Sequence, residues 1–202
     1  SEYKLGHQMA KEITAEREWV EIDFITMLHK RLAAWIKSPH RFNCTVIRSG
    51  EVNAFALPGG YIFLTDAIVN FCEHNEDELA FIIAHEMGHV VKGHAFDRMI
   101  AEHSIQVISK WLRAGRLLGA TAKQATLKFL KTQYSRDNEY EADDFGIRLT
   151  LAAGYDSKGA VRMFERLKTL GESDIPEYFS THPSFNSRIV QIKKAALRVK
   201  PR

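Results

Sequence analysis

No stretch of this chain approaches the ~20 consecutive apolar residues that a membrane-spanning helix requires, so no such span is expected within it. The first residues show no signal-peptide pattern. The chain starts at Ser1 rather than Met, which fits a mature or trimmed product from which an export signal or anchor could have been removed. Cysteine is scarce: Cys44 and Cys72 are the only two, and neither belongs to a Cys-x-x-Cys pair. That argues against a cysteine-ligated metal and leaves open whether the two thiols pair or stay reduced. Neither sign of charge dominates, with 28 Lys and Arg against 25 Asp and Glu and a net charge of +3. So small an excess gives no support to nucleic acid or an anionic membrane surface as a partner. The basic run from Lys193 to Lys200 reads as a solvated helix face. Internal repeats, low-complexity tracts and long linkers are absent as well.

What is present suits one folded unit. A chain of 202 residues with 45% hydrophobic content can bury a sizeable core, and a single domain over 1–202 is expected. From Glu2 to Ile36 the pattern is helical, with Phe24, Ile25, Leu28, Leu32, Trp35 and Ile36 at three- and four-residue steps until Pro39. Phe42 to Ile47, Asn53 to Ala56 and Tyr61 to Leu64 read as strands, the last two joined through Leu57-Pro58-Gly59-Gly60. A short helix is expected over Asp66 to Phe71 and a longer one from Glu76 to about Ala95. Phe96 to Thr132 alternates apolar and basic residues at helical spacing, with breaks near Gly115 and Gly119. Further helices should run from Arg136 to Gly154, from Asp156 or Ser157 to about Leu170, and from Ser184 to Val199. The fold class is therefore α+β, mostly helical, with a small early sheet.

The chemistry is concentrated in His85-Glu86-Met87-Gly88-His89. Residues four apart lie on one face of a helix, so both imidazoles can reach a single ion. Glu86 projects beside that face, where it can accept a proton from water held by the metal. Asn75 followed by Glu78 resembles a helix cap, and Leu79 to Ala84 is an apolar run, so the motif helix should be buried. Buried imidazoles need partners, which favours a metal over a chance pair of surface histidines.

Two histidines are too few, since a catalytic zinc takes three protein ligands and a water. The metzincin continuation H-E-x-x-H-x-x-G-x-x-H fails, because Lys92 and Ala95 stand at its glycine and third histidine. His94 lies about 140° around a continuous helix from His89 and reads as a polar residue near its end. The segment Ser135-Arg136-Asp137-Asn138-Glu139-Tyr140-Glu141-Ala142-Asp143 is a better source. Glu139 and Asp143 share a face at i, i+4, whereas Glu141 is rotated by about 200°. Glu139 then suits a zinc ligand, and Asp143 suits the acceptor that fixes the tautomer of a ligand histidine. Glu141 and Asp144 read as solvated charges.

These blocks, with Asn53-Ala54-Phe55-Ala56-Leu57-Pro58-Gly59-Gly60 and Thr181-His182-Pro183-Ser184-Phe185-Asn186-Ser187-Arg188-Ile189, resemble the integral-membrane CAAX prenyl protease, HtpX and Oma-type peptidases. The resemblance is closest to their soluble bacterial relatives of the BepA kind, and it runs in order from Asn53 to Ile189. It implies a zincin-like metallopeptidase with His85, His89 and Glu139 as ligands of one zinc ion per chain and Glu86 as the catalytic glutamate. The membrane helices of the larger relatives have no counterpart here, and no tetratricopeptide-type repeat follows, so a catalytic unit alone is expected. The resemblance also implies a bacterial periplasmic setting, free or membrane-attached through a segment before Ser1. Quality control of unfolded or misfolded polypeptides is the implied role, and oligomeric state is left open.

Within that frame Asn53, Ala54, Phe55 and Ala56 would form an edge strand beside the metal, to which a substrate peptide adds through backbone hydrogen bonds. Pro58, Gly59 and Gly60 would turn the chain sharply and keep side chains out of the cleft. His182 has two incompatible roles open to it: donor to the oxyanion, or a fourth zinc ligand that keeps the resting site latent, as the resemblance implies. Capping or packing is a third. Arg188 can orient His182 or pair with Asp143. The expected reaction is zinc-dependent endopeptidase cleavage, with Glu86 moving the proton. The alternative is a metal-binding chaperone or interaction module with little turnover; a purely structural zinc site would leave Glu86 without a purpose.

Overall fold

The helical pattern between Glu2 and Ile36 is interrupted by a strand. In the computed structural model, which describes residues 1–102, 108–109, 126–169, 176–183 and 185–198, α1 spans Glu2–Glu16 and α2 spans Asp23–Ala33, with β1 (Trp19–Val20) between them. Arg17 leaves α1 in an extended conformation, φ −126° and ψ 136°. Trp19 and Val20 then pair antiparallel with Ile47 and Val46. This pairing is long-range, so a local periodicity could not announce it.

Three further strands follow: β2 (Asn43–Ile47), β3 (Ala54–Leu57) and β4 (Tyr61–Thr65). The sheet order is β1-β2-β4-β3, with β2 parallel to β4 and β3 antiparallel to it. β3 is therefore an edge strand. Its neighbour Asn53 accepts from Thr65 N–H at 3.0 Å, which makes Asn53 and Thr65 a hydrogen-bonded pair. By the alternation of an antiparallel ladder, Ala54 and Ala56 turn their N–H and C=O groups away from β4. Side chains alternate likewise. Ala54, Ala56, Ile62 and Leu64 join the core shared with α2 and the motif helix, while Phe55, Leu57 and Phe63 join a second core with Leu5, Met9 and Phe129.

The turn between β3 and β4 needs its glycines, with φ of 79° at Gly59 and 99° at Gly60. A Cβ on Gly59 would lie 2.6 Å from Tyr3 Cα, and one on Gly60 2.7 Å from Arg41 O. The space they leave is thus filled by α1 and Arg41, and the expectation that they clear a cleft is corrected.

Thr65 Oγ1 caps α3 (Asp66–Phe71), and Asn75 Oδ1 accepts from Glu78 N–H at 3.2 Å to start α4 (Glu76–Val91). Every residue of α4 from Glu78 to Val90 is buried, as befits a helix apolar on most of its circumference. α4 stops four residues short of the expected end. Gly93 takes φ 78° and breaks it, and α5 (His94–Glu102) starts directly after. Residues 126–131 are helical. Then come α6 (Arg136–Ala152), α7 (Lys158–Lys168), the short α8 (Glu177–Thr181) and α9 (Phe185–Arg198). Gly115, Gly119 and the ends expected at Leu170, Ser184 and Val199 lie outside the described residues. Cys44 and Cys72 are free thiols, and burial pushes the Cys44 thiol up to about 12.

Candidate metal centre

α4 and α6 cross closely because glycine stands at the crossing on both. A Cβ on Gly88 would lie 3.1 Å from Ala142 Cα, and one on Gly146 3.2 Å from His85 N. Ser135 Oγ accepts from Asn138 N–H at 3.2 Å and fixes where α6 begins. Glu139 and Asp143 are thereby turned together onto the histidine face of α4.

One donor atom from each of His85, His89, Glu139 and His182 lies within 4.8 Å of all the others, and all four residues are buried. His85 Nε2 and His89 Nε2 are 3.0 Å apart. Glu139 Oε1 is 3.3 Å from His89 Nε2 and 3.0 Å from His182 Nδ1. His182 Nδ1 is in turn 3.3 Å from His85 Nε2. Three imidazole nitrogens and a carboxylate oxygen thus face one point. Each neutral imidazole has only one N–H to give, and His85 directs its other nitrogen, Nδ1, at Asp143 Oδ1, 2.9 Å away. A convergence of lone pairs with so few protons fits a cation. Nitrogen and oxygen donors without sulfur suit zinc.

Burial opposes the charge on His85, but the hydrogen bonds and charges of Asp143 and Glu139 outweigh it and raise its pKa to about 9. Burial opposes the charge on His89, and the neighbouring His85 and His182 add to that, so its pKa is held well below the ordinary value and the ring stays neutral. Burial opposes the ionised form of Glu139 too, but Arg188 and His182 outweigh it and hold the carboxyl well below its usual range. Arg188 and His85 do the same for Asp143. Arg188 is fully buried. It donates to Asp143 through Nε at 2.8 Å and Nη2 at 2.7 Å, to the His182 carbonyl through Nη1 at 3.0 Å, and lies 2.6 Å from Glu139 Oε2. One guanidinium therefore makes both contacts expected of it.

Glu86 is buried beside the cluster, its Oε1 3.3 Å from His182 Nε2, and its Oε2 has no hydrogen-bond partner among the described residues. Glu141 and Asp144 sit apart from the centre. Glu141 is 3.4 Å from Lys92, Asp144 is 2.9 Å from Arg148, and both are 54% exposed at the side chain. Asn53, Phe55, Thr65 and Glu177 line a groove of about 390 Å³ with Arg17, Leu127, Leu130 and Lys131. Ala54 and Ala56 are fully buried. Tyr178, in α8, donates its backbone N–H to Val52 O at 3.1 Å, joining the His182 segment to the start of the edge strand.

Sequence reasoning missed the shell around His89. His94 Nδ1 lies 3.1 Å from His89 Nδ1, because the break at Gly93 turns it back toward the motif. The 140° separation held only for an unbroken helix. The Tyr134 ring stacks on His89 at 3.7 Å. Its place just before the Ser135 cap, where an apolar residue commonly packs against the helix start, was the available signal.

An inward-facing histidine pair, a carboxylate from a second helix and a free glutamate define a metallopeptidase. The model of peptidase family M48 matches residues 23–196, and the chain belongs to that family. It is 33% identical over 143 residues to the mitochondrial metalloendopeptidase OMA1 of Arabidopsis thaliana, covering 71% of this chain and 29% of that protein. It is 28% identical to the metalloprotease YcaL of Escherichia coli strain K12, covering 75% of this chain and 61% of the relative. With the beta-barrel assembly-enhancing protease of the same organism it shares 29% identity, over 88% of this chain and 39% of that protein. The chain thus spans only part of the relatives it matches.

Proposed function

We propose that residues 1–202 act as a single zinc endopeptidase domain that cleaves unfolded or misfolded polypeptides in the bacterial periplasm, free or attached to a membrane. The observation that carries this reading is the donor cluster of His85, His89, Glu139 and His182 within 4.8 Å, with Glu86 beside it. His85, His89 and Glu139 would hold one zinc ion, with Asp143 fixing the His85 tautomer. The ion, when bound, supplies a Lewis acid for the scissile carbonyl and acidifies water. Glu86 takes the proton of the attacking water and returns it to the leaving amine. The substrate backbone adds to the outer edge of β3 at Ala54 and Ala56, which is buried at rest and must be uncovered first, and the substrate's alternate side chains lie toward the groove beside Asn53 and Phe55.

His182 acts as a fourth ligand in the resting state. Its Nδ1 faces the ligand cluster and its Nε2 faces Glu86, so both the metal and the base are covered until the segment carrying it moves. The same enclosure favours a second reading, a metal-binding chaperone with little turnover. Metal analysis together with mass-spectrometric mapping of products from unfolded casein, with and without chelator, tests the enzyme. Chelator-sensitive fragments are expected, and their absence from both the wild type and His182→Ala would leave the chaperone. In the latent reading His182→Ala raises the rate; a fall of roughly 10²–10³-fold would make the histidine an oxyanion donor instead.

A further inference from the structure

Two phenols in the wall of the centre find no partner among the described residues. The hydroxyls of Tyr134 and Tyr178 are both buried, and neither makes a hydrogen bond among the described residues. Leaving a buried donor unpaired is destabilising, so its presence points to an acceptor that arrives with the substrate. His182 is already committed, with one nitrogen toward the ligand cluster and the other toward Glu86. Tyr178 packs on His182 at 4.5 Å from within α8, so any movement that uncovers the metal displaces it too.

Tyr134 donates its backbone N–H to Thr181 O in α8 at 3.2 Å, but its ring is anchored to the part that stays. Tyr134 directly precedes Ser135, the cap of the helix that carries Glu139. Its ring is held between the His89 imidazole, 3.7 Å away and tilted by only 13°, and the Arg98 guanidinium at 3.9 Å. Arg98 is itself fixed: it is buried, donates to Thr132 O at 2.9 Å and lies 4.0 Å over Phe129. A ring with a cation on one face and a ligand imidazole on the other has little freedom left.

We infer that the Tyr134 hydroxyl is the hydrogen-bond donor to the oxyanion formed during peptide cleavage, and hence a catalytic residue. The inference rests on the peptidase reading above. As the water oxygen bonds to the carbonyl carbon, Glu86 takes one of its protons and the carbonyl π pair moves onto oxygen. That oxygen accepts from Tyr134 more strongly than the neutral carbonyl did, so the contact favours the transition state. When the C–N bond breaks, its electron pair leaves with nitrogen, Glu86 gives the proton to that nitrogen, and the carbonyl re-forms. Tyr134 keeps its proton throughout.

Tyr134→Phe tests this, with Tyr178→Phe as the comparison. Expected are a fall in kcat of roughly 10²–10³-fold on an unfolded peptide, an unchanged KM and unchanged zinc content. Tyr178→Phe should stay within a few-fold of wild type. Calorimetry in the Glu86→Gln background supplies a readout without turnover. There Tyr134→Phe should weaken a phosphinic peptide, which carries a tetrahedral anion, by the same factor while leaving an uncleaved peptide unaffected. Equal loss for both ligands, or no loss for either, overturns the inference. So does a marked fall in the melting temperature of the metal-free variant, which would mean that a protein group holds the hydroxyl. Absence of chelator-sensitive cleavage in wild type and His182→Ala would instead count against the peptidase reading, while the binding comparison still decides the role of Tyr134.

Discussion

At the scale of single residues, the centre separates groups that touch one another but do different work. Glu86 lies outside the four-residue donor cluster, and its Oε2 has no hydrogen-bond partner among the described residues, so Glu86→Gln should fold and bind zinc as the wild type does. Its peptidase rate should fall by roughly 10²–10⁴-fold, the size of a lost acid–base group; activity within a few-fold of wild type would remove it from the mechanism. Glu139→Ala should lower zinc affinity sharply and Glu141→Ala hardly at all, as one faces the cluster and the other lies on the surface with Lys92. Asp143→Asn should fall between them, at about 10–100-fold. A metal titration that reversed this ranking would undo the assignment. Much of this was legible because helix periodicity is local: spacings of four in one segment and the i, i+4 pair in another already put the right atoms on two faces. Arg188 was legible only as a choice of partners, since nothing local fixes how α9 docks. His94 was misread because its position depends on one left-handed residue, Gly93.

At the scale of elements, the site depends on how near α4 and α6 lie. Gly88 and Gly146 have the other helix, not solvent, where a side chain would be. Gly88→Val or Gly146→Val should therefore force the helices apart at a cost of about 1–3 kcal/mol, typical of overpacking. The decisive readout is zinc affinity, which should fall at least tenfold because Glu139 moves away from the histidines. Loss of stability with full retention of metal affinity would show that α6 can shift without carrying Glu139 off. Helix positions were read well where a cap and an apolar stripe coincide, as at Asn75 and Ser135. β1 escaped notice: two residues carry no period, and only pairing with Val46 and Ile47 makes them a strand. Likewise α8 lies between the helices expected to end near Leu170 and to begin at Ser184, and its five residues deliver His182.

At the scale of the molecule, the centre ties together parts of the chain far apart in sequence. His85 and His89 come from α4, Glu139 from α6 and His182 from the segment after α8. An ion held by all three segments binds the folded chain and not the dispersed one, so it stabilises the fold by mass action. With free zinc at about 1,000 times its dissociation constant the gain is about 4 kcal/mol. For a chain of this length, 1 kcal/mol moves the melting temperature by roughly 2–4 °C, so chelation should lower it by roughly 8–16 °C. Glu86→Gln should keep that difference in full, because Glu86 is not among the four clustered donors. Glu139→Ala should lose most of it, because α6 then no longer contributes to the cage. Differential scanning of each variant with and without chelator is the measurement. A chelator effect of equal size in Glu139→Ala and wild type would place the ion elsewhere. His182→Ala is the informative intermediate: if its nitrogen is a fourth ligand, the zinc-dependent rise shrinks while the peptidase rate increases. Latency then has a measurable cost in stability when it is released.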